Sequence, residues 1–369
     1  ASDLRNGDAA TVVSGSLTRA PGEAVGNHDI TNVDLAADNY AINYVKSQLS
    51  ITKAVLTVTA DAKTKVYGEA DPALTYTVKA SDLRNGDAAT VVSGTLTRAQ
   101  GEAVGNYDIT NVDLAASNYA INYVKSPLSI TKAVLTVTAD AKTKVYGDAD
   151  PALTYMVKAS DLRNGDAATV VSGNLTRTQG ESVGNYDITN VDLAASNYAI
   201  NYVKSALSIT KAVLTVTADA KTKVYGTNDP ALTYIATGFK RTDSKSILIG
   251  GLTRVEGENV GSYAIQRGTL AAGDNYTISY TGANLIITKA TLSGLSFVNK
   301  DVVYDGAVKS IQLNGSLPTG VTVAYQNNDK INAGSYEVKA IIAETQNYFG
   351  TSFSATLLIR NAKQTISFT

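Results

Sequence analysis

The sequence predicts an all-β protein made of tandem small modules, each an immunoglobulin-like β-sandwich, arranged as an elongated rod. A long internal repeat, period-two alternation of apolar residues and a composition rich in strand-forming residues support this prediction. The 369 residues are 44% hydrophobic and 18% charged, enough apolar content for packed cores. Tyrosine is abundant, at 21 residues against 5 phenylalanines, and together with valine and threonine it favours pleated, half-buried surfaces.

The repeat sets the predicted module boundaries. The segment ASDLRNGDAATVVSG begins at Ala1, Ala80 and Ala159, an interval of 79 residues, and each unit closes on two apolar residues followed by Thr-Lys-Ala. These boundaries divide the chain into a partial repeat 1–52, repeats 53–131 and 132–210, a divergent repeat 211–288, a module of a second type 289–361, and the start of a further module 362–369. Because the pattern begins partway through a repeat, we interpret the chain as a fragment of a longer protein.

Repeats 53–131 and 132–210 differ at six of 79 positions. Such near-identity is typical of a module used in bulk, as a spacer or a multivalent binder, whereas a catalytic site is seldom copied this way. A 79-residue unit is long enough for a core of its own and too long for a solenoid turn. We therefore expect independent beads, forming a rod on the order of 150 Å.

Within one repeat the alternation predicts short strands. Leu56, Val58 and Ala60 share one face of AVLTVTAD, and Tyr119 and Tyr123 share one face of NYAINY with Ile121. LTYTV, TVVSGTLTR and YDITNVDL also predict strands. The single helical candidate, SDLRNGDAATVV, is predicted to form one turn at most. It leaves one alternative open, a β-grasp sheet around a short helix.

A Gly-x-Tyr motif recurs before the penultimate strand, at Tyr107, Tyr186, Tyr263 and Tyr336. A tyrosine entering that strand is typical of the tyrosine corner of sandwich domains, where its hydroxyl holds a neighbouring crossover. His28, the sole histidine, occupies the same position in the partial repeat. We interpret it as a substitute for the corner tyrosine, because a catalytic or metal-binding histidine would not be replaced by tyrosine in sister copies.

The stretch KVYGEADPALTY returns three times and contains the signature residues of the repeat. These are Tyr67, Gly68, Asp71 and Pro72, then Tyr146, Gly147, Asp150 and Pro151, then Tyr225, Gly226, Asp229 and Pro230. Proline after the turn predicts the start of a strand, and Asp71 is expected to cap the turn through its side chain. Calcium is the alternative use of these oxygens, although no calcium-loop spacing is present and the third copy, GTNDP, loses one acid.

The tyrosine pairs Tyr119/Tyr123 and Tyr198/Tyr202 are the candidate weak ligand contacts, since exposed tyrosines stack on sugars or partner proteins. Core packing is the favoured interpretation of the same residues, because they share a face with Ile121 and Ile200.

Composition excludes several classes of protein. The chain contains no cysteine, which excludes disulfides and thiolate chemistry. It contains one histidine, so the repeats cannot each carry a catalytic triad that depends on histidine. With 32 basic and 33 acidic residues, the chain lacks the basic excess that would indicate nucleic-acid binding. Its apolar runs are too short to insert in a membrane. We predict that the chain is not an enzyme and needs no cofactor.

The motifs VYGxxDPxLTY, GxLTRxxGExVGxYxI and NYxIxYxxxxLxIT together resemble the MBG-type repeat with a Tyr-Gly signature, over 53–288 and most of 1–52. The last module, with VVYDG and AGSYEVKA, resembles a sibling MBG or YDG type. In repeat 211–288 the stretch FKRTDSKSILIGG departs from the pattern, which indicates surface there.

The resemblance implies a segment of a large bacterial cell-surface adhesin, extracellular, some of whose relatives use type IX secretion and act in gliding motility. Its implied partners are host or substratum glycans or proteins, bound through other parts of the full-length protein, and the secretion or anchoring machinery. We expect a non-catalytic stalk that projects a distal binding region. The alternative is a set of glycan- or mucin-binding modules that act by avidity.

Overall fold

A computed structural model describes residues 3–367. Ala1 and Ser2 of the predicted partial repeat, and Phe368 and Thr369 of the predicted final start, lie outside the described residues. The prediction of an all-β chain is confirmed: this part of the chain forms 28 strands, and its helical structure consists of six short 3-10 turns. None of the helices in residues 3–367 has the length and apolar character needed to cross a bilayer.

The strands follow the repeat. The partial repeat contains β1 (Leu17–Arg19), β2 (Gly26–Asn32) and β3 (Ser47–Ile51). Repeat 53–131 contains β4 (Ala54–Ala60), β5 (Lys63–Val66), β6 (Tyr76–Val78), β7 (Leu96–Arg98), β8 (Gly105–Asn111), β9 (Tyr119–Val124) and β10 (Ser126–Thr131). Repeat 132–210 contains β11 (Ala133–Ala139), β12 (Lys142–Val145), β13 (Tyr155–Val157), β14 (Leu175–Arg177), β15 (Gly184–Asn190), β16 (Tyr198–Val203) and β17 (Ser205–Thr210).

The last two modules complete the series. Repeat 211–288 contains β18 (Ala212–Ala218), β19 (Lys221–Val224), β20 (Tyr234–Thr237), β21 (Thr253–Arg254), β22 (Gly261–Gln266), β23 (Tyr276–Thr281) and β24 (Ala283–Thr288). The final module contains β25 (Lys300–Val303), β26 (Val323–Gln326), β27 (Gly334–Ile342) and β28 (Thr351–Arg360). The 3-10 turns are Ala10–Val12, Ala80–Asp82, Ala89–Val91, Ala159–Asp161, Ala168–Val170 and Lys245–Ile247.

Repeat 53–131 shows how one module is built. Its three-stranded sheet has the order β6-β4-β9 and its four-stranded sheet the order β5-β10-β8-β7. Each sheet is mixed, because β4 runs parallel to β9 and β5 runs parallel to β10, while the other pairs are antiparallel. This mixed pairing differs from the purely antiparallel sheets of immunoglobulin domains. Repeat 211–288 has the same two strand orders.

The predicted alternation on β4 is confirmed. Leu56 and Val58 are fully buried, and Ala60 is almost fully buried, because every second side chain of the strand points to the core. Ala60 from the first sheet packs in one cluster with Ile109 and Leu128 from the second. The two sheets therefore close on a common core, as the sandwich prediction requires.

Three local predictions need correction. The strand after the Asp-Pro pair begins at Tyr76 and not directly after Pro72. The segment predicted as one strand, TVVSGTLTR, divides into the 3-10 turn Ala89–Val91 and strand β7, because Gly94 adopts a φ of +113° between them. The helical candidate forms two separate 3-10 turns of three residues each. The β-grasp alternative requires a helix against its sheet, and this segment does not form one.

The chain divides into two compact units. The first comprises Ala1–Asp140, Leu153–Thr178 and Asp187–Ser205, and the second comprises Ala141–Ala152, Gln179–Tyr186 and Ala206–Thr369. In the first unit, one hydrophobic cluster contains Tyr67 and Ile130 from repeat 53–131 together with Leu135, Val137 and Tyr198 from the next repeat. Lys132 is the single residue between β10 and β11. The core thus continues across this repeat boundary, and the expectation of fully independent beads is wrong there.

The second unit repeats this arrangement. Tyr146 and Ile209 from repeat 132–210 share a cluster with Leu214, Val216 and Tyr276 from repeat 211–288. Lys211 is the single residue between β17 and β18. Two successive boundaries are therefore packed in the same way.

Candidate functional sites: an ion-pair cluster and a repeat junction

The signature stretch carries two buried side chains, Lys65 in strand β5 and Tyr67 just past it, and they contact different partners. Lys65 points towards the Asp-Pro turn of its own repeat, and Tyr67, just past the strand, reaches the following repeat. The turn that follows Tyr67 depends on Gly68, whose φ is +82°.

The first site is an ion-pair cluster formed by Lys65, Asp71, Arg98 and Glu102. The Lys65 side chain is only 3% exposed, and its Nζ lies 2.6 Å from Asp71 Oδ1 and 2.6 Å from Glu102 Oε2. Arg98 donates from Nε to Asp71 Oδ2 at 2.6 Å and from Nη2 to Glu102. Each buried cation therefore contacts both carboxylates, which offsets its loss of water.

The charges in this cluster shift one another's pKa values. The hydrogen bonds from Arg98, and then from Lys65, lower the pKa of Asp71 from 3.8 to about 2. Burial alone would lower the pKa of Lys65, but its hydrogen bonds to Asp71 and Glu102 outweigh burial and leave that pKa raised. All four groups are thus held in their charged forms at neutral pH, and the lowered pKa of Asp71 makes its carboxylate a weak base.

The other copies form the same contacts. Lys144 Nζ lies 2.6 Å from Asp150 and 2.8 Å from Glu181. Lys223 Nζ lies 2.6 Å from Asp229 and 2.5 Å from Glu258. The hydrogen bonds from Arg254 and Lys223 lower the pKa of Asp229 to about 2. The cluster is therefore a property of the repeat and not of one copy.

The final module replaces the buried lysine with an apolar residue. Val302 pairs with Ile359 as Lys65 pairs with Ile130, and it packs against the core of that module. The same position therefore accepts either a paired charge or a hydrophobic side chain.

The role predicted for Asp71 is corrected. Its carboxylate does not cap the turn but binds Lys65 and Arg98. Sequence reasoning missed these partners, although a signal was present: Lys65, Arg98 and Glu102 each keep their residue type in all three complete copies, alongside the aspartate.

The second site is the junction socket, formed in the first unit by Arg163, Asp166, Asn197 and Tyr198, which receives Tyr67. Tyr67 is 5% exposed, and its ring meets that of Tyr198 edge to face with centroids 5.4 Å apart. Both hydroxyls donate to Asp166 Oδ2, that of Tyr67 at 3.0 Å and that of Tyr198 at 2.7 Å. One carboxylate oxygen therefore joins the signature tyrosine to the next repeat.

Backbone N–H groups hold the residues of this junction. The Tyr67 N–H donates to the Thr131 carbonyl of its own repeat at 2.9 Å, and the Val104 N–H donates across the boundary to Asn197 Oδ1 at 3.0 Å. A Cβ on Gly68 would lie 2.4 Å from the Arg163 side chain, so glycine is required both by its φ and by the approach of the next repeat.

The second unit contains an equivalent socket. Tyr146 packs edge to face on Tyr276 at 5.4 Å, and their hydroxyls donate to Asp243 Oδ2 at 2.9 and 2.8 Å. Asp148 adds an ion pair with Lys240 at 2.9 Å. At the next boundary Tyr225 meets Tyr348 edge to face at 5.3 Å. The signature tyrosine therefore contacts the following module at three boundaries.

The tyrosines proposed as ligand contacts lie largely in the core. Tyr119 and Tyr198 are 3% and 2% exposed, and their hydroxyls donate to Asp87 and Asp166. Tyr123 and Tyr202 are half-buried and donate to the Ile109 and Ile188 carbonyls at 2.9 Å. This placement supports core packing. Ligand contact by these residues stays a prediction, and their burial weighs against it.

The corner residues adopt the predicted geometry. The Tyr107 hydroxyl donates to the Ala103 carbonyl at 2.8 Å, and the Tyr186 and Tyr263 hydroxyls make the same contact four residues upstream. His28 Nε2 lies 2.8 Å from the Ala24 carbonyl, in the same relation. His28 thus holds the position of a corner tyrosine, and its hydrogen bond is structural.

Calcium binding at the Asp-Pro turn stays an untested alternative. Within residues 3–367 no group of three or more histidine, aspartate or glutamate side chains is placed to hold a metal ion. Asp71, the acid retained in every copy of the turn, is directed at two cations.

Comparison with protein families gives one match. A family model described as "MBG domain (YGX type)" matches residues 1–50, 56–129, 135–208 and 214–286. These four stretches follow the repeat and cover most of the chain. No curated protein sequence matches the chain.

Solved structures show distant likenesses. Drosophila N-cadherin EC1-3 is 10% identical, with 63% of this chain and 98% of that chain covered and a TM-score of 0.20. The N-terminal eight Ig domains of DSCAM are 12% identical, with 91% and 59% covered and a TM-score of 0.20. BT4661, a SusE-like surface located polysaccharide binding protein from Bacteroides thetaiotaomicron, is 10% identical, with 82% and 53% covered and a TM-score of 0.18. The chain spans little more than half of the last two structures, and at such TM-scores these likenesses carry no argument.

Proposed function

The chain belongs to the MBG domain (YGX type) family, and from that premise we propose that it is a non-catalytic stalk segment of a large bacterial cell-surface adhesin. In this proposal the segment is extracellular and holds a distal binding region away from the cell. Binding of host or substratum glycans or proteins then occurs elsewhere in the full-length protein. Export by type IX secretion and a part in gliding belong to the same proposal and rest on family resemblance alone.

The observation that carries this proposal is the packed repeat boundary. A stalk must transmit force along the chain and resist bending between modules, and both properties require few free linker residues. Lys132 and Lys211 are the single linker residues at two boundaries, and a shared hydrophobic cluster surrounds each boundary. A binder that acts by avidity would instead gain from flexible linkers between its modules.

The absence of catalysis is part of the proposal. The titratable groups in the repeated sites are paired with one another. The cations of the ion-pair cluster bind its carboxylates, and the tyrosine hydroxyls of the socket donate to Asp166 or Asp243. Groups that are already paired in this way are poor candidates for attacking a substrate.

Multivalent glycan binding is the second candidate, and one observation favours it. Val55, Val134 and Val213 occupy the same position of successive repeats, and each is about 60% exposed, at 62%, 62% and 59%. Each repeat therefore presents the same aliphatic residue to solvent.

One pair of measurements separates the two candidates. The stalk proposal predicts that the full chain shows no saturable binding to immobilised mucin or bacterial polysaccharide. It also predicts that the modules stay folded under load when the chain is pulled in single-molecule force measurements. Saturable binding that is lost when Val55, Val134 and Val213 are all changed to aspartate, with unfolding unchanged, would retire the stalk proposal. The control is the same chain with exposed Val112 and Val191 changed to aspartate.

A further inference from the structure

A pocket of about 390 Å³ lies at the Tyr-Gly turn of repeat 211–288, within the second compact unit. Tyr225 and Gly226 of that turn line it, together with Glu258 of the ion-pair cluster. The final module, which contains strands β25 to β28, follows this repeat, so the pocket belongs to a boundary between two described modules. Its volume falls within the roughly 300–1,000 Å³ typical of ligand pockets. It is therefore large enough to accept a side chain from another polypeptide.

At the two preceding boundaries the following repeat fills the same place. A Cβ on Gly68 would lie 2.4 Å from the Arg163 side chain, and a Cβ on Gly147 would lie 2.4 Å from the Lys240 side chain. A Cβ on Gly226, the equivalent glycine, would meet no atom within 4 Å. A basic side chain therefore covers the glycine at two boundaries, and the third glycine is left uncovered.

The tyrosine pair at the third boundary also lacks an acceptor. Tyr225 and Tyr348 meet edge to face at 5.3 Å, as Tyr67 and Tyr198 do at 5.4 Å. Asp166 accepts hydrogen bonds from both hydroxyls of the earlier pair. Among residues 3–367, the hydroxyls of Tyr225 and Tyr348 have no hydrogen-bond partner, and both are accessible to solvent. The pair thus presents two donors of the kind that elsewhere share one carboxylate oxygen.

A single short segment supplies both missing contacts at the closed boundaries. Arg163 is followed three residues later by Asp166, and Lys240 is followed three residues later by Asp243. In residues 289–361 no lysine or arginine is followed at that spacing by an aspartate. The final module therefore brings its tyrosine to the boundary without the basic and acidic residues that accompany it elsewhere.

The carboxylate beside the pocket is correspondingly uncovered. At the second boundary Arg241 of the following repeat lies 3.3 Å from Glu181, which is 36% exposed. The equivalent Glu258 is 64% exposed, and in the described part of the chain its ion pairs are with Lys223 and Arg254 of its own repeat. A cation that enters the pocket from outside the chain therefore meets an accessible carboxylate.

We propose that this boundary, the open junction formed by Tyr225, Gly226, Glu258 and Tyr348, binds in trans a surface turn of the form Lys/Arg-x-x-Asp from another polypeptide. The basic side chain lies over Gly226 and pairs with Glu258, while the aspartate accepts hydrogen bonds from the two tyrosine hydroxyls. Two opposite charges at a fixed spacing supply the specificity. The segment then carries a lateral attachment point, a role beyond that of a stalk, at the place where the module type changes.

The first test uses the full chain and a fluorescein-labelled peptide of the sequence KASDLRNGDAATV, which matches residues 158–170. Fluorescence anisotropy is expected to show saturable binding. Changing the peptide aspartate that corresponds to Asp166 into asparagine should weaken binding about tenfold, because hydrogen bonds to a charged group are weakened. Changing the arginine that corresponds to Arg163 into glutamine should weaken binding about threefold, as the loss of an exposed ion pair predicts.

A matched pair of chain variants locates the site. Tyr225→Phe should weaken peptide binding about tenfold, and it removes no hydrogen bond within the described residues, so folding is preserved. Tyr146→Phe, at a closed boundary, should leave peptide binding unchanged, and circular dichroism checks that both variants are folded. The proposal is overturned if the peptide does not bind at about 1 mM, a weak-binding limit, if the asparagine peptide binds equally well, or if the two chain variants behave alike. Equal binding of the glutamine peptide would show recognition of a carboxylate alone and would also overturn the proposed turn as the occupant.

Discussion

Lys65 and its counterparts Lys144 and Lys223 are the buried charged side chains of the described residues. A lysine in such a position is tolerated only when it is paired, and each one lies between an aspartate and a glutamate. Since Val302 fills the equivalent position in the final module, packing alone does not demand a charge there. We infer that the charged version fixes the Asp-Pro turn against the sheet.

Neutralising the aspartate of each cluster should destabilise the repeats. The triple variant Asp71→Asn, Asp150→Asn, Asp229→Asn leaves three buried lysines with one carboxylate each. Removing one partner of a fully buried pair costs about 3–5 kcal/mol, and because these carboxylates are more than a third exposed we expect about 1–2 kcal/mol per repeat. Urea unfolding measures the loss, and Glu69→Gln, at an exposed turn position, is the control with no expected change.

Stability should also depend on pH in the acid range. The pKa of Asp71 and of Asp229 is about 2 in the folded chain, below the value of about 3.9 in an unfolded chain. A depressed folded pKa contributes stability that is fully present above about pH 4 and is lost as pH falls towards 2. Urea midpoints at pH 7, 4 and 2.5 should therefore fall mainly below pH 4. An equal pH dependence in the triple asparagine variant would contradict this assignment.

At the scale of the element, the Tyr-Gly turn joins one repeat to the next. Tyr67→Phe keeps the ring and removes the hydrogen bond to Asp166, which should cost about 1–2 kcal/mol. Amide hydrogen exchange at the Tyr67 and Val104 N–H groups should then accelerate about 5- to 30-fold. Tyr304→Phe is the matched control, because Tyr304 holds the same position in the final module but is 40% exposed. Equal acceleration in both variants would argue against a junction role for the hydroxyl.

The corner tyrosine requires a second glycine. A Cβ on Gly101 would lie 2.2 Å from the Tyr107 ring, whereas a Cβ on Gly86 meets no atom within 4 Å, and both glycines have positive φ. Gly101→Ala should therefore destabilise the repeat by about 1–3 kcal/mol more than Gly86→Ala. The urea unfolding midpoint of each variant measures this difference. Similar midpoints would show that Tyr107 moves aside freely.

The elements differ in how far the sequence predicts them. Period-two alternation predicts β4 because one face of AVLTVTA is buried and the other is exposed. The same reasoning fails for TVVSG, where a 3-10 turn also directs Val92 inwards. The role of Tyr67 could not be predicted from local pattern, because its partner Asp166 lies 99 residues away in a different copy. Comparing copies identifies the residues that matter but not which copy each one contacts.

At the scale of the whole molecule, the substitutions between repeats avoid the core. Of the six positions that differ between repeats 53–131 and 132–210, Glu69, Thr77, Thr95, Ala99 and Ala103 are exposed and Pro127 is half-buried. The residues of the ion-pair cluster and the junction socket are unchanged between these two copies. None of the six positions belongs to the ion-pair cluster or the socket, and one of them, Glu69/Asp148, contacts the junction, where Asp148 pairs with Lys240.

The shared core across a boundary makes each repeat depend on its neighbour. A fragment of residues 53–131 alone exposes Tyr67 and Ile130, which in the full chain pack in a cluster with the next repeat. We expect it to unfold at a lower urea concentration than the same repeat within a fragment of residues 53–210, as nearest-neighbour coupling requires. A labelled site in the first repeat reports its unfolding in both fragments. Coincident midpoints would show that the boundary contributes no stability.

The junction also has a genetic consequence. Tyr67 and Tyr146 each find an aspartate and a tyrosine at matching positions of the following repeat. Unequal recombination that removes residues 80–158 would leave Tyr67 facing Asp243 and Tyr276, the partners that Tyr146 has here. Gain or loss of a whole 79-residue copy therefore recreates the same tyrosine–aspartate contacts at the new boundary, so a change in copy number keeps the junction complete.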